Sequence, residues 1–277
     1  MTNLKNNDIC AAKRKLPYLV VLLDYGLDDA VATLRLLSHA DAFRKIDVVA
    51  VGGNVSPALS FKNAKRIAAQ AGEFKTPLRI VDTTALFQPH EDLYDIHGAD
   101  GVGGDVFSEA ESAAPVLTLD EFLAEPDEID VLLSLGPMTV TKEVLSRRTV
   151  KEFLFMAGCV DGIPNYHGYE FNHGLNKEAF AFAAKFPHRA VLLDAACKAL
   201  DVQHLPLAGN DLFTRAIKKY RDLGISRGET TCTVWDDVAV LALLYPALFT
   251  EKTKTDRDGN VLHALSYTAN GYPGVHE

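Results

Sequence analysis

Leu22-Leu23-Asp24-Tyr25-Gly26-Leu27-Asp28-Asp29-Ala30 is the stretch on which the fold turns. The apolar run Tyr18–Leu23 ends abruptly at Asp24. A short, unbroken apolar run bounded by a turn reads as a strand buried on both faces. Gly26 supplies a tight turn, and an amphipathic stretch, Asp29–His39, follows. Strand, acidic turn and helix together open a βαβ unit.

The same alternation extends along the chain. Apolar runs at Ile46–Val51, Leu78–Val81, Ile129–Leu135, Phe153–Met156 and Ala190–Leu193 read as further strands. Amphipathic stretches at Pro57–Ala71, Met138–Leu145 and Lys177–Ala184 read as the helices between them. Right-handed crossovers then give an α/β fold, an open and mostly parallel sheet flanked by helices. One more helix is expected after Trp235, then a polar Thr/Lys/Asp stretch and a strand near Val261–Tyr267. Residues 82–117, with several Pro, Gly and acidic positions, read as a long loop region. No repeat or linker divides the chain, so residues 17–277 are expected to form one domain behind a flexible lead-in over residues 1–16.

The 277 residues carry 28 Lys and Arg against 37 Asp and Glu, a net charge of −9. Such a chain repels phosphate backbones, so nucleic acid is not expected as a partner. No stretch reaches the ~20 apolar residues of a membrane span. The run ending at Asp24 is too short for the apolar region of a signal peptide. Cys10, Cys159, Cys197 and Cys232 form no C-x-x-C pair, which suits a reducing cytoplasm and gives no zinc signature.

Ligands of open α/β sheets bind beyond the carboxyl ends of the strands. Polar and turn residues collect there: Asp24 to Asp29 after the first strand, Gly52-Gly53-Asn54 after the second, Gly136-Pro137 and Ala157-Gly158 later. Two readings of the acidic cluster stand side by side. Asp28 can cap the helix and Asp29 can complement its dipole. Alternatively, carboxylates so close repel one another unless a cation intervenes, and hard divalent cations favour oxygen ligands. A second pair, Asp236-Asp237, opens the late helix, where it either caps that helix or returns as a ligand to the first cluster.

These features resemble the inosine–uridine preferring nucleoside hydrolase family. The opening stretch is similar to the family's D-x-D-P-G-x-D-D-A pattern. Gly53-Asn54, Asn63-Ala64, His97-Gly98-Ala99-Asp100-Gly101-Val102-Gly103, Gly136-Pro137-Met138-Thr139, Met156-Ala157-Gly158, Glu170-Phe171-Asn172 and Trp235-Asp236 follow in the family's order, from about residue 18 to residue 248. The resemblance implies hydrolysis of the N-glycosidic bond of a ribonucleoside with a bound Ca²⁺. It implies Asp24 as metal ligand and base for the attacking water. Asp29, the Leu135 carbonyl and Asp236 would be further ligands. Asp28, Asn54, His97, Met156, Asn165, Glu170, Asn172 and Trp235 would meet the nucleoside. A homo-oligomer is expected.

The chain also departs from the family. Leu22 replaces the first aspartate of D-x-D, and Tyr25 replaces the usual proline. The approach to Glu170 is altered, leaving Asn165 as the candidate for the asparagine that holds the 5′-hydroxyl. Trp235 stands where many members carry a histidine, as in purine-preferring members, so purine ribosides are the expected substrates. His97, His167 and His173 are candidate acids for the leaving group. Phosphatases that use aspartates after a first strand need D-x-D spacing, which Leu22 breaks. The remaining rival is a catalytically silent member that binds a nucleoside or sugar; the retained Asp24, Asp28, Asp29 and Asp236 count against it.

Overall fold

The structure, a computed structural model, describes residues 16–273. The expected lead-in lies outside the described residues apart from exposed Leu16. Nine strands form one sheet: β1 (Tyr18–Leu23), β2 (Lys45–Ala50), β3 (Leu78–Asp82), β4 (Val116–Thr118), β5 (Ile129–Ser134), β6 (Val150–Met156), β7 (Arg189–Val191), β8 (Phe249–Thr255) and β9 (Val261–Tyr267). Among the described residues nine α-helices accompany them: α1 (Leu27–Ser38), α2 (Pro57–Gln70), α3 (Tyr94–His97), α4 (Leu119–Ala124), α5 (Met138–Arg147), α6 (Phe171–Leu175), α7 (Lys177–Ala183), α8 (Leu212–Ser226) and α9 (Trp235–Leu244).

The strand order is β4-β3-β2-β1-β5-β6-β7-β9-β8, parallel except for β8, which runs antiparallel to β9 at one edge. Alternation along β1 explains why the sheet needs cover on both sides. Leu19, Val21 and Leu23 join one apolar cluster with α1, α2, α8 and α9. Tyr18, Val20 and Leu22 join the other with α4, α5 and α7. Leu22, where the family has an aspartate, is therefore a fully buried core residue.

From β1 the chain winds outward through β2 to β4, then returns to β5 on the other side of β1. The crevice between the carboxyl ends of β1 and β5 is the topological switch point, where open sheets place ligands. Asp24 leaves β1 and Leu135 leaves β5 at that point. The stretch read as loop over 82–117 holds α3 and the three-residue strand β4. The polar stretch after α9 is strand β8, and α8 is a further helix beyond those expected.

Candidate active site

Asp24 is buried at the end of β1, with Gly53 and Gly136 packed against its carboxyl group. A Cβ on Gly53 would stand 1.9 Å from Asp24 Oδ2, so only glycine lets β2's exit approach so closely. The Asn54 N–H then donates to Asp24 Oδ2 at 2.7 Å, while Asp24 Oδ1 is buried without a partner. Tyr25 makes the turn at φ 45°, a conformation closed to the family's proline. Its ring is fully buried in the core.

The capping reading of α1 needs correction in detail. Gly26 is the cap residue, and Asp29, three residues on, accepts the Gly26 N–H at 2.8 Å. Asp29 also accepts from the Asp24 N–H at 3.2 Å and from Asn54 Nδ2 at 3.3 Å. Asp28 does not cap the helix. Its Oδ1 is buried without a hydrogen bond, 3.7 Å from His97 Nδ1.

The first turn of α9 brings Asp236 to the same place. Asp28, Asp29 and Asp236 each offer an oxygen, all within 4.8 Å of one another, and all three are buried. Asp24 adjoins them. No Lys or Arg side chain pairs with any of these four carboxylates among the described residues. Burial first, and then mutual repulsion, raises the pKa values of Asp24, Asp29 and Asp236; burial raises that of Asp28. Asp24 is pushed up to about 7 and Asp28 to about 6. Four buried carboxylates without a counter-charge, two of them with an orphaned oxygen, fit a hard cation.

A cavity of about 680 Å³ opens above this cluster. Asp28, Asn54, His97, Leu135, Met156, Asn165, Glu170, Asn172, Trp235 and Asp236 all line it; Asp24 and Asp29 lie beneath. Asn172 Nδ2 donates to the Leu135 carbonyl at 2.7 Å and to the Met156 carbonyl at 3.0 Å, tying the exits of β5 and β6 together. Its Oδ1 is left buried and unpartnered. Glu170 caps α6, accepting from the Asn172, His173 and Gly158 N–H groups at 2.9, 3.0 and 2.8 Å. Asn165 is exposed at the rim. Trp235 packs one side on the core and also lines the cavity.

Among the candidate histidines, only His97 lines the cavity. Its Nδ1 accepts the Leu27 N–H at 3.0 Å, which leaves the proton on Nε2. Burial, with Arg227 nearby, pushes its pKa down to about 3, so the ring is neutral. His173 is stacked on Phe180 with ring centroids 3.8 Å apart, and His167 is exposed.

Sequence reasoning missed one wall entirely. Tyr220, Arg227, Glu229, Thr231 and Thr233 come from α8 and the segment after it. Tyr220 stacks beside His97 at 6.5 Å and donates to the Thr233 carbonyl at 3.2 Å. The apolar spacing Phe213, Ala216, Ile217, Tyr220 behind the capping Asp211 was the available signal for α8.

The chain belongs to the inosine-uridine preferring nucleoside hydrolase family, whose model matches residues 19–268. It is 27% identical over 250 residues to a pyrimidine-specific ribonucleoside hydrolase, RihA, of Shewanella woodyi, covering 82% of this chain and 79% of that one. Its fold is similar to the purine-preferring ribonucleoside hydrolase of Gardnerella vaginalis, with TM-score 0.69, 17% identity and 92% and 94% of the two chains covered. It is also similar to the type III effector XopQ, solved with adenosine diphosphate ribose, with TM-score 0.61, 16% identity and coverage of 92% and 89%. No helix among the described residues is long and apolar enough to cross a membrane.

Proposed function

We propose that this protein hydrolyses the N-glycosidic bond of ribonucleosides, releasing free base and ribose, with Ca²⁺ held by Asp24, Asp29, Asp236 and the Leu135 carbonyl. The observation that carries this reading is the uncompensated carboxylate cluster at the floor of the cavity. Asp28 belongs to that cluster by geometry, and it doubles as a ribose contact. When bound, the cation supplies positive charge that offsets the carboxylates and acidifies a neighbouring water.

The side chains divide the remaining work. Asp24, with a free buried oxygen, takes the proton from the attacking water. Asp28 Oδ1 and Asn172 Oδ1, both buried without partners, accept hydrogens from ribose hydroxyls. Asn54 borders the same floor, and Asn165 meets the 5′-hydroxyl at the rim. Glu170 fixes the loop that presents Asn172, and Met156 closes the cavity under the sugar. The carboxylates also favour the positive charge that develops on the ribosyl ring as the bond breaks. His97 donates a hydrogen bond from Nε2 to the base; its low pKa makes it a neutral donor rather than an imidazolium acid.

For the base, Trp235 offers a flat face; such an aromatic contact contributes about 0.5–1.5 kcal/mol beyond area burial, and it covers more of a purine than of a pyrimidine. The named relatives divide between purine and pyrimidine preference, so the preference rests on Trp235 itself. The test is ribose release from a panel of purine and pyrimidine ribosides, with calcium and with chelator. Calcium-dependent release that is several-fold faster from inosine than from uridine, with the gap narrowed by Trp235→Ala, is the expected result. No release from any riboside overturns the hydrolase reading. Uridine preference overturns the role of Trp235 alone.

A further inference from the structure

Next to the cation cluster lies a buried charge pair that the chemistry above does not use. Asp237 follows Asp236 in α9 and is fully buried. Arg35, on α1 nearly two turns beyond Asp29, meets it with both prongs: Nε to Oδ1 at 2.6 Å and Nη2 to Oδ2 at 2.8 Å. Tyr272, beyond β9, donates its hydroxyl to Asp237 Oδ2 and is itself buried. The guanidinium also lies 4.8 Å from the Phe213 ring of α8 and 5.5 Å from the Tyr272 ring. Three segments therefore meet at one carboxylate, and α8 packs on the arginine that holds it.

The start of α9 needs such an anchor. Its cap residue is Val234, and no side chain bonds the free N–H groups of its first turn. Successive side chains on a helix diverge by about 100°. Asp236 can thus face the cavity while Asp237 faces α1. A bidentate arginine pair fixes direction as well as distance. The two helices that bring Asp28, Asp29 and Asp236 within 4.8 Å are joined at this point.

We propose that Asp237 is a positioning residue of the cation site. Held by Arg35 and by Tyr272 from the end of the chain, it sets where Asp236 stands relative to Asp28 and Asp29. This rests on the reading of the carboxylate cluster as a cation site. Removing Arg35 would leave a lone buried charge and endanger folding. Tyr272→Phe removes a single hydrogen bond and is the informative variant; Asp237→Asn keeps the shape and an acceptor for Arg35 but strands the arginine's charge, so it is read only beside its melting temperature.

The experiment is calorimetric titration of calcium into the full-length, metal-free protein, paired with its melting temperature without calcium. Wild type is expected to bind. Both variants are expected to bind about tenfold more weakly, with turnover recovered at saturating calcium. Variants that melt lower yet bind calcium like wild type make the cluster purely structural and overturn the proposal, leaving the hydrolase reading intact. A wild type that binds no calcium removes the cation-site reading and this inference with it.

Discussion

Asp24 is where the chemistry is most exposed to test by substitution. Asparagine at this position keeps an oxygen to accept the Asn54 N–H and to face a cation, but it has no basic lone pair of comparable strength. Asp24→Asn should lower kcat by about 10²–10⁴-fold while KM changes little. Steady-state kinetics with an unchanged kcat would take the base role from Asp24. The residue was legible in the sequence because a carboxylate ending a buried strand is anomalous without a function. Asp29's tie to the Gly26 N–H was not legible, since it depends on the turn that Tyr25 makes at φ 45°. Nor was the third backbone N–H on Glu170, from Gly158, which joins its local cap of α6 to the exit of β6.

The elements legible from sequence were those whose pattern is set by burial. Parallel strands buried on both faces read as continuous apolar runs, as β1 does; β9, buried only in part, also has the expected bounds. β8, with the sequence FTEKTKT, has mostly exposed side chains and becomes a strand through its pairing with β9. Missing α8 meant missing its latch to the site. Arg227 closes α8 and donates to the Asp95 and Ile96 carbonyls at 3.0 and 3.2 Å, while Glu229 holds its other prong at 2.7 Å. This ties the His97 segment to the wall that bears Tyr220. Arg227→Ala should lower kcat/KM about tenfold for nucleosides without changing inhibition by free ribose. Arg227→Lys should not rescue it, because a lysine cannot fork between three acceptors. Loss of ribose inhibition in step with activity would show that the latch supports the whole site rather than one wall.

Across the whole molecule, the acidic cluster makes stability depend on pH, and a cation bound there is expected to reverse that dependence. Asp24 and Asp28 have folded pKa values of about 7 and 6 against an ordinary value of 3.8. The folded state therefore holds more protons than the unfolded one between about pH 4 and 7, and these groups cost stability as pH rises through that window. Burial lowers the pKa values of His97, His173 and His188, so these imidazoles act in the opposite sense, with or without calcium. The difference between loaded and metal-free protein removes them. The calcium-induced rise in melting temperature should be about 5 °C or more larger at pH 7.5 than at pH 5. Thermal scans with equal rises at both values would show that protons do not compete with the cation for this cluster.

The order of the strands also has a meaning in time. Asp24, Asp28 and Asp29 are synthesised about two hundred residues before Asp236. At roughly 5–20 residues per second, the growing polypeptide carries the first three aspartates for about 10–40 s before the fourth exists. Throughout that interval β1 can pair with β2, but the partner that completes its acidic end has not been translated. A cation that needs the whole cluster must therefore wait for α9, and a ribosome that stops short of α9 leaves seven of the nine strands with their anions unanswered.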